Sequence, residues 1–251
     1  ELDLKELFDE LSYVYLSPSG DKGLITEIEK LLFDGNDFYI FQDEAYAPGI
    51  FKFDKKGQLV FHETSKVEGP GKFIGANDMV LNNDENTIEI LDAYQSKIVS
   101  CSKKDCSFVE EIKIPGNFRQ FVRLKRDGHA FYAANEPTEW GNFNIYIKRH
   151  DEPELKPFTP INPYLINTII ENKCFSTAPA NDTYLFKEEY SKLVWRVTSN
   201  SAHIAYEIDF GANWFDEKSL QGLPGADIET KMSILNVSDD KVKALKNIEE
   251  Y

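Results

Sequence analysis

One strand pattern recurs four times in this chain, each time straight after a polar turn. It reads YIFQD at Tyr39–Asp43, IEILD at Ile88–Asp92, FYAAN at Phe131–Asn135 and YLFKE at Tyr184–Glu188, behind the turns DGND, NNDEN, RDGH and PAND. Self-similarity at about 40–50 residues is the mark of propeller repeats, whose insertions fall in loops. A third strand follows each anchor, as GIFKFD, KIVSC, NIYIK and LVWRV. In three repeats a fourth apolar run succeeds it, as QLVF, FVEEIKI and AHIAYEIDF. The third repeat carries prolines in its expected outer strand, a position where Pro is tolerated because an edge has no further ladder to feed.

Four such sheets cannot each bury both faces alone. Packed radially, each covers its neighbour, so the pattern predicts an all-β fold, a β-propeller of four-stranded antiparallel blades, rather than a sandwich. The repeats span approximately 24–63, 72–114, 118–158 and 165–210, within one domain over 1–251. Ahead of them, Leu4 to Leu11 has helical spacing and SYVYL at Ser12–Leu16 reads as a strand. After Gly211 the pattern fails, and Ser238 caps an expected helix to about Glu250. Four units fall about two blades short of a six-bladed ring. Either the chain is partial, or SYVYL and the tail close a smaller ring.

Composition narrows the partners. With 28 basic and 43 acidic residues the net charge is -15, a surface that repels nucleic acid and anionic lipid heads. No apolar run is long enough to span a membrane. The chain opens on Glu1, consistent with removal of a targeting segment, and a lipid-bearing Cys would lie upstream. Cys101 and Cys106 flank Ser-Lys-Lys-Asp in a hairpin, where a symmetric register would set them opposite each other. A bridge there implies an oxidising compartment; two reduced thiols in a turn is the other reading. Cys174 reads as a small buried apolar residue.

Three stretches carry a family resemblance: the opening LDLKELFDELSYVYL, the Gly69-Pro70-Gly71-Lys72-Phe73 turn after the first repeat, and YEIDFG at Tyr206–Gly211. Together they resemble the six-bladed β-propeller proteins, often lipoproteins, of Bacteroides-type bacteria, distant relatives of NHL-repeat propellers. The resemblance implies export to the periplasm or outer-membrane surface and carries no catalytic positions across. Members are generally longer than this chain, and its later repeats lack the Gly-Pro-Gly turn.

Two sets of residues are candidates for chemistry. Asp43, Asp92, Asn135 and Glu188 end the four second strands and, in equivalent blades, share one height. Oxygen donors from several blades are what Ca²⁺ takes, which makes a Ca-dependent lactonase-like or lyase-like enzyme one reading. The other is that each side chain accepts N–H bonds from its own loop. Tyr46, Tyr94 and Trp140 lie in matching loops and form either an aromatic binding surface or interblade packing. His62, His129, His150 and His203 read as solvated and Trp195 as core. No phosphate loop, nucleophile elbow or Ser-His-Asp set is present. The preferred expectation is an exported or lipid-anchored binding module for a protein, peptide or glycan, without catalysis or a required cofactor. A structural module of an envelope assembly is a third reading.

Overall fold

The computed structural model describes residues 12–17, 25–42, 49–64, 67–124, 128–168, 174–177, 183–188, 190–209, 217–226, 230–231 and 233. The chain divides into two compact units, Leu2–Lys125 and Arg126–Tyr251, with Glu1 grouped with the latter. The expected turns of helix at 4–11 and 238–250, and Trp214, lie outside the described residues.

In the first unit, β1 (Lys30–Phe33), β2 (Phe38–Gln42), β3 (Gly49–Phe53) and β4 (Leu59–Thr64) form one antiparallel sheet in chain order. A second sheet follows the same plan with β5 (Ala76–Asn82), β6 (Thr87–Asp92), β7 (Lys97–Ser102) and β8 (Phe108–Lys113). β5 lies beside β1 and beside β9 (Gln120–Arg123), the strand that opens the third repeat. First strands are therefore neighbours, as radial packing requires.

Register decides which residues meet between these sheets. Pairing of Leu32 with Tyr39 and of Phe41 with Ile50 puts those four on one face. Pairing of Met79 with Ile90, and of Leu81 with Ile88 and Ile88 with Cys101, builds the opposing face. The two sets close into one core with Phe73 and Ala76. β3 and β6 are buried at every position, so both faces of each sheet's middle are covered. The Gly69–Gly71 turn lies against the second sheet: Lys97 Nζ donates to Gly69 O at 3.3 Å. Gly71 has φ +68°, and a Cβ there would sit 2.4 Å from the Phe108 ring, so only glycine fits.

At one end of these sheets two turns lock together. Lys103 Nζ reaches Asp34 Oδ2 at 3.2 Å and the Asn83 side chain, while Lys52 Nζ donates to Lys103 O at 2.7 Å and pairs with Asp37 at 2.8 Å. Tyr39 OH donates to Asp34 Oδ2 at 3.0 Å, and both ammonium groups lie over the Tyr39 ring. Burial alone would push the Asp34 carboxyl up. The N–H groups of Asp37 and Asn36, with Lys103 and Tyr39, outweigh it and hold the value at about 2. Burial and the Asp34 charge raise the Tyr39 phenol.

The Cys101–Cys106 disulfide forms, with Cα atoms 4.7 Å apart. The symmetric register does not: Cys101 pairs with Phe108, and Cys106 sits in the turn with φ +53°. The bridge spans the turn carrying Lys103, and Cys106 N also donates to Ser102 O at 2.9 Å.

The second unit holds β10 (Gly128–Tyr132), β11 (Ile145–Arg149) and β12 (Leu155–Pro157), then β13 (Phe175–Thr177), β14 (Tyr184–Lys187), β15 (Leu193–Val197) and β16 (Ala202–Glu207). The sheet orders are β12-β11-β10-β9 and β13-β14-β15-β16, so the division of the chain falls after the third repeat's first strand. The third sheet ends at a three-residue outer strand with Pro157 as its last residue. Tyr132 meets Phe186 at 5.3 Å between ring centroids, and a 3-10 helix (Glu217–Gly222) packs Leu220 with Leu165, Tyr190 and Leu223.

Three expectations are corrected. SYVYL is not a strand: Ser12–Leu16 carry no ladder, and only Ser17 forms a single bridge, to Gln58. Its Tyr and Val residues favour a strand only where a neighbouring edge is offered. Trp195 is half-buried rather than core: it pairs with Ile204 of the outer strand, which is itself 51% exposed. His129 is buried, in ring contact with Phe131 and His150, and His62 stacks on Phe51 at 4.1 Å, where burial lowers its pKa.

Candidate functional site

In the first unit the connections from second to third strands emerge at the end of the sheets away from the Asp34–Lys103 lock. In the second sheet this connection is the four-residue turn Ala93–Ser96. Asp92, fully buried, accepts N–H bonds from Ile74 at 2.7 Å and Gln95 at 3.0 Å, and Gln95 Nε2 at 2.6 Å. Asn77 Oδ1 accepts Ala93 N at 3.1 Å from the other side. The turn is thereby tied both to itself and to the loop ahead of β5. At its tip Tyr94 is 77% exposed, and a Cβ on Gly75 would come within 3.0 Å of the Tyr94 Cβ, so the ring's base rests on backbone. A rigidly held, solvent-facing tyrosine is a low-entropy contact group. Replacing Asp92 by alanine strips two backbone N–H groups of a charged acceptor, and should lower the first unit's stability by about 2–3 kcal/mol in urea unfolding.

The first sheet repeats this tie with a different residue. Thr26 N donates to Gln42 Oε1 at 3.0 Å, and Thr26 precedes Leu31 by the same interval that separates Ile74 from Met79. Gln42, not Asp43, therefore stands where Asp92 stands. Face parity agrees: Tyr39 points toward the second sheet, whereas Ile88 points back toward the first. Asp43 and Tyr46 lie outside the described residues.

In the second unit the connection is the long loop from Ala133 to Asn144. Asn135, at φ +64°, donates N–H to Asn144 Oδ1 at 2.8 Å, and Asn144 Nδ2 returns a bond to Asn135 Oδ1 at 2.8 Å. This reciprocal amide clasp closes the loop's base, and Asn135 Nδ2 also donates to Thr168 O at 3.1 Å. Thr138 and Gly141 pair near its tip, and Trp140, half-buried, donates N–H to Thr138 Oγ1 at 3.2 Å. Glu188, at the end of β14, is 8% exposed and accepts a hydrogen bond from the Asn144 side chain. Burial pushes its carboxyl up to about 7, against the lowering by Asn144 and Lys187.

Of the four oxygen-bearing residues singled out by sequence, Asn135 and Glu188 are thus brought together through Asn144, which the sequence pattern did not mark. The Asp92 and Asn135 oxygens already accept bonds from the protein itself. Among the described residues no three His, Cys, Asp or Glu side chains group at metal-binding distance. Tyr94 belongs to the first unit and Trp140 to the second.

A family model described as a 6-bladed beta-propeller, DUF5128, matches residues 1–243. Among solved structures, a Bacteroides fragilis protein described as a candidate exported protein aligns with a TM-score of 0.66 at 17% identity, covering 84% of this chain and 60% of that one. A DUF4221 member from Bacteroides vulgatus aligns with a TM-score of 0.51 at 10% identity, covering 77% of this chain and 60% of that one. This chain thus spans about three-fifths of the length of either structure. No curated protein matches its sequence.

Proposed function

We propose that this chain, which belongs to the DUF5128 family of six-bladed β-propellers, is an exported binding module that engages a protein, peptide or glycan through the loops following its second strands. The observation that carries this reading is Tyr94: a large amphipathic ring held out to solvent on a turn fixed by Asp92 and Asn77. Buried-core logic gives no reason to present an aromatic this way, whereas aromatic anchors in recognition surfaces need this combination of area and rigidity. The Cys101–Cys106 bridge supports an oxidising compartment such as the periplasm. Among the described residues no helix is long and apolar enough to cross a membrane.

The test is an array of defined glycans and peptides probed with the intact chain. Any ligand bound by the wild type should lose at least about tenfold in affinity on Tyr94→Ala. Affinity untouched by that substitution would remove this turn from consideration.

A further inference from the structure

A cleft of about 410 Å³ opens on the second sheet, at the end opposite the Tyr94 turn. Strand register brings its walls together. Thr87 pairs with Ser102 and Glu89 with Ser100, so these four point away from Ile88 and Ile90, which face the first sheet. Glu110 pairs with Ser100 and joins them, and the ladder slips between Ser100 and Cys101, leaving Val109 unpaired beside it. Glu85 and Asn86, from the turn ahead of β6, complete the lining with Thr87, Ser102, Val109 and Glu110. All six belong to the first unit.

The observation that points to a ligand is Thr87. It is 4% exposed, and its hydroxyl, on the cleft wall, has no hydrogen-bond partner among the described residues. A buried hydroxyl left in this way costs the fold free energy unless something else completes the bond. The charges around it are held in place and do not balance. Glu85 Oε2 accepts from Asn82 Nδ2 at 2.8 Å, and Glu85 N donates to Asn82 Oδ1 at 3.1 Å. Arg123 bonds Glu89 and stands 3.9 Å from Glu85, while Glu110 is exposed at the rim. Three carboxylates thus share one guanidinium, and the local excess is negative.

We propose that this cleft binds a primary alkylammonium group, the head of a lysine side chain on a partner or of a free polyamine. An ammonium brings three donors and no acceptor, which matches the Thr87 hydroxyl and the Glu85 and Glu110 carboxylates. The methylene stem behind it matches Val109. A divalent cation would need six or more oxygens, beyond the two carboxylates this cleft offers. The site lies at the far end of the sheet from Tyr94 and does not depend on recognition there.

The test titrates the intact chain with n-butylammonium, spermidine and the blocked tripeptide acetyl-Gly-Lys-Gly-amide, following backbone amides by NMR. Saturable shifts confined to Asn86, Thr87, Ser102, Val109 and Glu110 support the proposal. Tighter binding of the tripeptide than of spermidine assigns the head to a partner's lysine, and the reverse order to a polyamine. Thr87→Val keeps the shape and removes no bond the protein makes to itself, so it should leave the fold intact and weaken n-butylammonium at least about tenfold. Glu110→Gln, at the solvated rim, should weaken it only about two- to fourfold. Absence of saturable shifts overturns the proposal, as does equal binding by Thr87→Val. Equal shifts with tetramethylammonium, which has no N–H, or with CaCl₂ overturn it too, because the site would then respond to charge alone.

Discussion

Replacing Asp34 by alanine should destabilise the first unit by about 3–5 kcal/mol, the cost of leaving a buried charge without its partner. The charge is Lys103, whose side chain is only 6% exposed and whose ammonium reaches Asp34 from the turn that the disulfide closes. Asn83 remains as an acceptor, but it is neutral, and Tyr39 OH loses its acceptor in the same step. Adding Lys103→Met to Asp34→Ala should recover most of the loss, because an apolar replacement of both partners strands no charge. All three tryptophans fall beyond residue 125, so the first unit is followed by hydrogen exchange of β2 and β6. The folded value of Asp34, about 2, lies below its ordinary 3.8. Its stabilisation is therefore complete above the ordinary value and drains as pH falls toward 2, a loss the alanine variant should not show. A single-variant effect under about 1 kcal/mol would mean that Lys103 finds water instead.

How far the sequence could be read follows from which faces are buried. The repeats were visible because the turns DGND, NNDEN and RDGH punctuate them, and turn chemistry is local. Strand parity in the first repeat was not visible. Tyr39, Ile40 and Phe41 are all fully buried, so the in–out alternation that fixes register is absent from FYIFQ. A one-residue shift there moves every side chain to the other face, so the repeat pattern sets Asp43 level with Asp92 while Gln42 makes the bond that matches that of Asp92. The sequence leaves Tyr94 open between a binding ring and interblade packing, because the exposure of a turn residue depends on what the neighbouring loops cover; in the structure it is 77% exposed. Asn144 could not be picked out: it belongs to the clasp only through Asn135 and Glu188, nine and forty-four positions away. SYVYL shows the same limit from the other side, since strand propensity does not say whether a partner edge exists.

The second unit should lose stability as pH rises, the reverse of the Asp34 behaviour. Glu188 has a folded value of about 7 against an ordinary 4.5, so between these values the folded state holds a proton that the unfolded chain has released. Stability is then greatest at and below the ordinary value and falls until the carboxyl ionises in place near neutrality. The two and a half units between them correspond to roughly 3 kcal/mol. Glu188→Gln keeps the shape and an acceptor for Asn144 but cannot ionise. Its unfolding free energy should be flat from pH 4.5 to 8 and exceed that of the wild type at pH 8. Tryptophan fluorescence reads this unit alone, since Trp140, Trp195 and Trp214 all lie within it. The amide of Asn135, which donates to Asn144, should exchange faster in the wild type at pH 8 than in the variant if ionisation of Glu188 pulls on the clasp. A wild-type curve that rises with pH, or parallels the variant, would show that water reaches the carboxylate, and the buried position assigned to Glu188 would have to be given up.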